Sequence, residues 1–169
     1  MSFLKAVAII VPILVAGVGL IYTVRPGLKP CVGAEQAKFT GVPVFPRVHF
    51  RDHLFRSGVS QAEIRKEPDV LGAEVRFSYA TEDLRGAKMP IMWSLVTIKK
   101  DNTLGPVVRG QDRVLAMLVT PDSCSESGGK DLFVQILEPK KRYRVVLELY
   151  RDRTLQDRLA LEETPIFSG

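Results

Sequence analysis

The sequence predicts an all-β domain, built as an antiparallel β-sandwich, that follows one N-terminal transmembrane helix. Three observations lead to this fold class: an apolar run at residues 6–24, a hydrophobic period of two that begins near residue 73, and turns at roughly ten-residue spacing after it. The predicted organisation is an anchor at residues 1–24, a stalk containing several prolines and glycines at 25–46, and the β-sandwich domain at 47–169.

The N-terminal anchor is predicted from length and charge. Residues 6–24 carry no charge, and Lys5 is the one charged side chain before them. At about 1.5 Å per residue, a helix over this run spans roughly 28 Å, close to the hydrocarbon thickness of a bilayer. The alternative is a cleaved signal peptide, with a small-residue cleavage site at residues 17–19. We expect a retained single span, because the apolar run continues beyond that site.

The side of the membrane is predicted from two opposing signals. Positive residues after the helix outnumber Lys5 before it, which alone favours a cytoplasmic domain. A signal-like segment with a very short N-terminal tail favours export, and an even pair of cysteines in a β-rich domain suits an oxidising compartment. We therefore expect the domain on the extracytoplasmic side of the cell membrane, with a disulfide between Cys31 and Cys124; a cytoplasmic domain would leave two free thiols.

Strands are predicted where apolar residues alternate or run together between turn-forming residues. No helical or strand period persists in residues 25–46, and the Ser-x-x-Glu spacing at 60–63 predicts a short helix at 61–66. Residues 123–129 are polar and contain glycines, which predicts a loop. The six predicted strands cover residues 73–79, 89–98, 114–119, 132–137, 143–149 and 155–163.

One stretch carries a family resemblance. Leu137 and Pro139, followed by Tyr143 and an alternating apolar run, resemble the corner between strands E and F of fibronectin type III and immunoglobulin-like domains. Trp93, on the predicted strand at 89–98, resembles the core tryptophan of immunoglobulin folds. The resemblance covers roughly residues 70–165 and implies a sandwich in which the Tyr143 hydroxyl satisfies a backbone group of the crossing chain.

The sequence also departs from both families. Val145 stands where an immunoglobulin domain has its second core cysteine, and Phe77 and Tyr79 stand where fibronectin domains tend to place a tryptophan. The chain therefore resembles a divergent member of the superfold. This superfold hosts many functions, so the resemblance implies architecture alone.

The residue types that carry chemistry are sparse. The two histidines of the chain, in His-Phe-Arg-Asp-His at 49–53, have the i, i+4 spacing of a helical metal pair, but there is no third histidine. No histidine follows Cys124, which excludes a blue-copper pattern. No serine lies in a Gly-x-Ser-x-Gly motif, and no phosphate-binding glycine loop occurs. We expect no catalytic residues, no metal and no cofactor.

These observations predict a membrane-anchored, exported module for binding or assembly that is not an enzyme. Its net charge of +5 comes from basic residues scattered among acids, so nucleic acid is not an expected partner. Another protein is the expected partner. The candidate recognition residues lie in or beside two predicted loops, at 49–58 and 123–129; they are His49, Phe50, His53, Phe55, Ser125 and Lys130.

Two alternatives remain open from the sequence. The first is an accessory subunit of a larger membrane complex, in which the small residues Ala16, Gly17 and Gly19 pack against another helix. The second is an exported enzyme of unrecognised type.

Overall fold

A computed structural model describes residues 30–136, 138 and 140–169. The predicted anchor at 6–24 and the corner residues Leu137 and Pro139 lie outside this set. Residues 34–169 form one compact unit. Among the described residues, no helix combines the length and the apolar character needed to cross a bilayer.

The compact unit is mostly β-structure with antiparallel pairing throughout. In chain order, its elements are β1 (Gln36–Gly41), β2 (Val44–His49), α1 (Phe50–Arg56), α2 (Gln61–Ile64), β3 (Leu71–Glu82), β4 (Met89–Ile98), β5 (Leu104–Val107), β6 (Val114–Val119), β7 (Ser125–Gln135), β8 (Arg142–Tyr150), β9 (Arg158–Glu163) and β10 (Phe167–Ser168).

The strands form two sheets. In sheet A, β7 pairs along one edge of β3, while β1 and β2 pair with successive parts of its other edge. In sheet B, β8 pairs along one edge of β4, and β5 and β6 share the other edge. Strands β9 and β10 pair with the far edge of β8. This arrangement is compatible with an immunoglobulin-like sandwich.

The two sheets share one hydrophobic core, because each central strand turns an apolar face inward. In β3, alternate residues from Ala73 to Tyr79 are buried, and in β8 Val145, Leu147 and Leu149 are fully buried. Strand β4 is buried on both faces over most of its length, as its largely apolar sequence predicts. Its central residue Trp93 is 7% exposed, in agreement with the predicted core position.

The corner between β7 and β8 shows the predicted tyrosine contact. The Tyr143 ring is 1% exposed, and its hydroxyl donates a hydrogen bond to the Glu138 carbonyl oxygen at 3.0 Å. Here the chain passes from sheet A to sheet B, so the hydroxyl satisfies a backbone acceptor of the crossing segment.

The disulfide prediction is also confirmed. The chain has two cysteines, and Cys31 and Cys124 are both disulfide-bonded. Cys124 immediately precedes β7, and its carbonyl oxygen accepts a hydrogen bond from the Asp83 amide at 2.6 Å. The bond therefore links Cys31 covalently to the residue that precedes β7.

Several secondary-structure predictions need correction. The loop predicted at 123–129 is strand from Ser125 onward, because β7 pairs with β3 along its whole length. Its glycines permit this pairing: a Cβ on Gly128 would lie 2.5 Å from the Tyr79 hydroxyl, and one on Gly129 would lie 2.6 Å from the Phe77 carbonyl oxygen. The glycines that predict a loop in the sequence therefore allow β7 to pair closely with β3.

The segment before residue 60 also contains more structure than its sequence indicates. Strand β1 and the start of β2 lie within residues 25–46, where no persistent strand period is predicted. Both are half-exposed edge strands, and β1 alternates over residues 36–39 alone. The predicted loop at 49–58 contains helix α1. The short helix at 61–66 is confirmed as α2, capped by the Ser60 hydroxyl, and it ends at Ile64.

Candidate functional site

Helix α1 lies on the outer face of sheet A. Val75 points into the core, so its neighbour Glu74 points to the opposite face, where α1 covers it. The Phe50 ring centroid lies 4.9 Å from that of Phe133 on β7, and the His53 ring lies 5.7 Å from Phe133. The helix has no side-chain cap at its N-terminus. Its position therefore depends on these tertiary contacts more than on local signals.

A buried ionic cluster holds the helix in place. The Glu74 side chain is 3% exposed, and its Oε2 atom accepts hydrogen bonds from His53 Nδ1 at 3.0 Å and from the Arg56 guanidinium at 2.7 Å. Arg76 approaches the other carboxylate oxygen at 3.4 Å. Because an ionised carboxylate only accepts, His53 Nδ1 carries the proton.

The charges of this cluster set the ionisation of Glu74. Burial opposes the charged carboxylate, but hydrogen bonds from Arg56 and His53, together with electrostatic attraction to these residues, lower the pKa of Glu74 below its ordinary value. The residue therefore stays ionised inside the fold. Since a buried carboxylate needs its partners, the cluster ties α1 to β3 strongly and with a defined geometry.

An aromatic groove opens beside this helix. It has a volume of about 440 Å³, within the range of ligand-binding clefts. Three aromatic rings, two amide side chains and short apolar residues form its walls; the lining consists of Phe50, Pro68, Val70, Trp93, Gly110, Gln111, Val114, Phe133 and Gln135. The lining contains no charged side chain. The aromatic groove therefore suits an uncharged, apolar group.

The groove lies where the two sheets present unpaired edges. Within residues 34–136, β7 pairs only with β3, and β6 pairs only with β4. Two side chains link these edges: Gln111 Nε2 donates to the Gln135 carbonyl oxygen at 3.0 Å, and Lys130 Nζ donates to the Ala116 carbonyl oxygen at 2.7 Å. Such capping protects strand edges from unspecific pairing. Gln111 Oε1 is buried and has no hydrogen-bond partner among the described residues.

The sequence-predicted recognition residues are dispersed by the fold. Phe50 lines the aromatic groove, and His53 is buried on the side of α1 that faces sheet A. Phe55 is 62% exposed and contributes to a separate shallow cleft on α1 and α2. Ser125 and Lys130 lie on β7, where they are strand residues and not part of a loop.

The two histidines do not form a pair. His49 ends β2, and its Nδ1 atom lies 3.2 Å from Asp69 Oδ1, whereas His53 on α1 binds Glu74. The helical spacing of the motif is thus not realised on one helix face. The Ser57 hydroxyl donates to the His53 backbone carbonyl at 2.9 Å and not to the imidazole, so these contacts assemble no nucleophile with its base.

Sequence reasoning missed Phe133 and Gln111 as site residues. Phe133 alternates with the core residue Val134, and a large aromatic side chain out of phase with the core face is a signal of a covered outer surface. Gln111 gives no such signal, because its position depends on how the turn after β5 folds back over the sheet edge.

Comparisons with known proteins leave this geometry as the main guide to function. No protein-family model matches the chain, and searches of the curated proteins and of the solved structures found no significant match.

Proposed function

We propose that this protein is a single-pass membrane-anchored module on the extracytoplasmic side that binds an apolar segment of a partner protein in the aromatic groove. The main support for this proposal is the groove itself, which has three aromatic rings, an uncharged lining and a volume of about 440 Å³. Aromatic side chains supply large contact areas with little loss of conformational entropy, as binding surfaces require.

Two features favour a peptide segment over a purely hydrocarbon ligand. The groove borders edges of β6 and β7 that pair with no further strand among the described residues, and backbone groups there other than the Ala116 and Gln135 carbonyls can bind a second backbone. In addition, Gln111 and Gln135 place amide groups among the aromatic rings. A small rotation of the Gln111 amide would allow its unpartnered oxygen to accept a peptide N–H.

The proposal assigns the domain to a divergent immunoglobulin-like sandwich. The division of strands into a β1/β2–β3–β7 sheet and a β5/β6–β4–β8–β9 sheet supports this assignment, as does the hydrogen bond of Tyr143 at the corner. The disulfide supports the extracytoplasmic location, since such bonds persist in oxidising compartments. The apolar run at residues 6–24 supports the anchor.

Site-specific photo-crosslinking in intact membranes tests this function. A photoreactive residue at Val114, in the groove, is compared with one at Leu104, an exposed leucine outside it. We expect Val114 to crosslink to one partner protein, and we expect Val70→Arg, which places a charge in the groove, to abolish the product. The purified partner should then rebind the unmodified protein but not the Val70→Arg variant.

Other outcomes would refute the proposal. Equal products from both positions, or no product from Val114, would exclude the groove as the binding site. A partner captured only from positions 16–19 would instead support an accessory subunit held through its membrane helix.

A further inference from the structure

A second concave surface lies on the outer face of sheet B, and it shares no lining residue with the aromatic groove. This sheet-B cavity has a volume of about 380 Å³ and is lined by Pro90, Met92, Leu115, Leu118, Arg153 and Leu155. Pro90 and Met92 alternate with core residues of β4, so they point out of the sheet. The sheet-B cavity is therefore a feature of the sheet surface, closed on one side by the hairpin between β8 and β9.

Its apolar walls are unusually accessible. Leu115 is 56% exposed and Leu118 is 37% exposed, although both lie on an edge strand, where large apolar side chains promote unwanted association. Their opposite neighbours across the β4–β6 pair, Met92 and Pro90, are buried, so Leu115 and Leu118 supply the exposed apolar part of the cavity wall. Contiguous exposed apolar surfaces rimmed by polar residues mark interaction sites.

The hairpin adds an independent observation, a strained leucine. Leu155 has a φ of +56°, in the left-handed region that glycine and asparagine adopt more easily than leucine. The turn holds it there: the Leu155 amide donates to the Asp152 carbonyl at 3.4 Å, and Asp152 Oδ1 accepts from the Thr154 amide at 2.8 Å. The strained residue lines the cavity, and strain of this kind is concentrated at functional sites.

The same hairpin also places a cation, Arg153, at the cavity rim. Arg151 is paired with Asp157, and Arg158 donates to Glu148 at 2.8 Å. Arg153, which lines the cavity, has no carboxylate within salt-bridge distance in the part of the chain that the structure describes. The cavity thus combines an apolar floor with the positive charge of Arg153, which pairs with no carboxylate among the described residues and can bind an anion.

We propose that the sheet-B cavity is a second binding surface, which takes a peptide segment of a partner protein carrying apolar side chains next to an aspartate or glutamate. The apolar side chains occupy the space between Leu115, Leu118 and Leu155, and the carboxylate pairs with the Arg153 guanidinium. A concave surface favours a discrete peptide over a lipid bilayer, which binds protruding apolar side chains. With the aromatic groove, the domain then holds two segments at once, as an assembly module requires.

Binding to defined peptides tests this inference. Full-length protein in phosphatidylcholine nanodiscs is exposed to an array of octapeptides that combine two leucine or phenylalanine residues with either acidic or basic neighbours. We expect at least tenfold tighter binding of the acidic set, and a reversed preference for Arg153→Glu. Leu155→Asn should weaken binding at least tenfold without lowering the melting temperature, because asparagine tolerates the left-handed conformation.

A matched control and a lipid arm complete the test. Leu104→Asn, which removes an exposed leucine outside the cavity, should leave peptide binding unchanged. Failure of both peptide sets to bind, equal binding of the two sets, or unchanged binding by Leu155→Asn would overturn the inference. Hydrogen exchange at the amides of residues 115–118 gives a further test. Protection by phosphatidylglycerol nanodiscs but not by peptides would also overturn the inference, because it would identify an anionic lipid surface as the ligand.

Discussion

Val134 and Phe133 are neighbours on β7, and they point to opposite sides of sheet A. Val134 is fully buried in the core between the sheets, where contacts are apolar and close-packed. Phe133 faces outward, where it packs against Phe50 and His53 and lines the aromatic groove. The core is thus stabilised by burial of apolar area, and the outer face by a few directional contacts around a buried charge.

This difference separates the part of the molecule that makes it fold from the part that we expect to bind. Core residues touch many neighbours, so their loss affects the whole compact unit. On the outer face, the Glu74 cluster holds one short helix, and its loss should leave the sheets intact. Each prediction below tests whether the two regions respond in these different ways, beginning with the largest expected effect.

Trp93→Ala should lower the free energy of unfolding by about 3–5 kcal/mol, the usual cost of removing a buried aromatic side chain. Trp93 is 7% exposed and belongs to the core cluster, although one side of it also lines the groove. Denaturant unfolding of the full-length protein in nanodiscs, followed by circular dichroism, measures the change. An unaltered midpoint would show that Trp93 contributes to the groove alone.

Glu74→Gln should cost less, about 1–3 kcal/mol, because it removes the charged acceptor of His53 and Arg56 while a hydrogen-bonding amide remains. Hydrogen exchange should show the loss in α1 and not in β4 or β8. Increased exchange throughout both sheets would contradict the separation of the two regions.

The same variant predicts a difference in acid stability. The pKa of Glu74 is lowered in the folded protein, so its stabilising contribution is fully present above the ordinary value of 4.5 and is lost as the pH falls through the lowered folded value. The stability difference between wild type and Glu74→Gln should therefore be constant near neutral pH and shrink below about pH 4.5. Unfolding series at several pH values measure it, and a difference that grew on acidification would contradict the cluster.

Tyr143→Phe should have the smallest effect, about 1 kcal/mol, the net value of one hydrogen bond to a backbone acceptor. The ring stays in the core, and only the contact with the Glu138 carbonyl is lost. The measurement is the unfolding midpoint, with Tyr79→Phe, at another buried tyrosine, as the matched control. A loss comparable to that of Trp93→Ala would mean that the corner controls the packing of both sheets.

The sequence predicts the core far better than it predicts the outer face. The alternation from Tyr143 to Leu149 predicts strand β8, because burial of one sheet face imposes a two-residue hydrophobic period. The apolar run around Trp93 predicts strand β4, because both of its faces are buried. Strand β1 and the first half of β7 escape this reasoning, whereas the second half of β7 is predicted as a strand. Strand β1 is half exposed, and residues 125–131 contain glycines that approach β3 closely.

The candidate site is less predictable for the same reason. Phe50 is a predicted recognition residue, but the expected loop around it is a helix. Glu74 holds this helix and lies eighteen residues after its partner Arg56 in the sequence. Long-range contacts of this kind leave no local pattern in the sequence. The resemblance at Tyr143 predicts the chain crossing and gives no information on what the groove binds.

The most direct test of the account uses the two neighbours on β7 as a matched pair. Partner crosslinking from position 114 is measured in membranes for Phe133→Ala and Val134→Ala, beside the unfolding free energy of each protein. We expect Val134→Ala to lose roughly 2 kcal/mol of stability, from the buried methyl groups removed, and to keep the crosslink. Phe133→Ala should keep most of the stability and lose the crosslink. If Phe133→Ala kept the crosslink, binding could not be assigned to the outer face. The same holds if Val134→Ala folded but lost the crosslink while Phe133→Ala kept it.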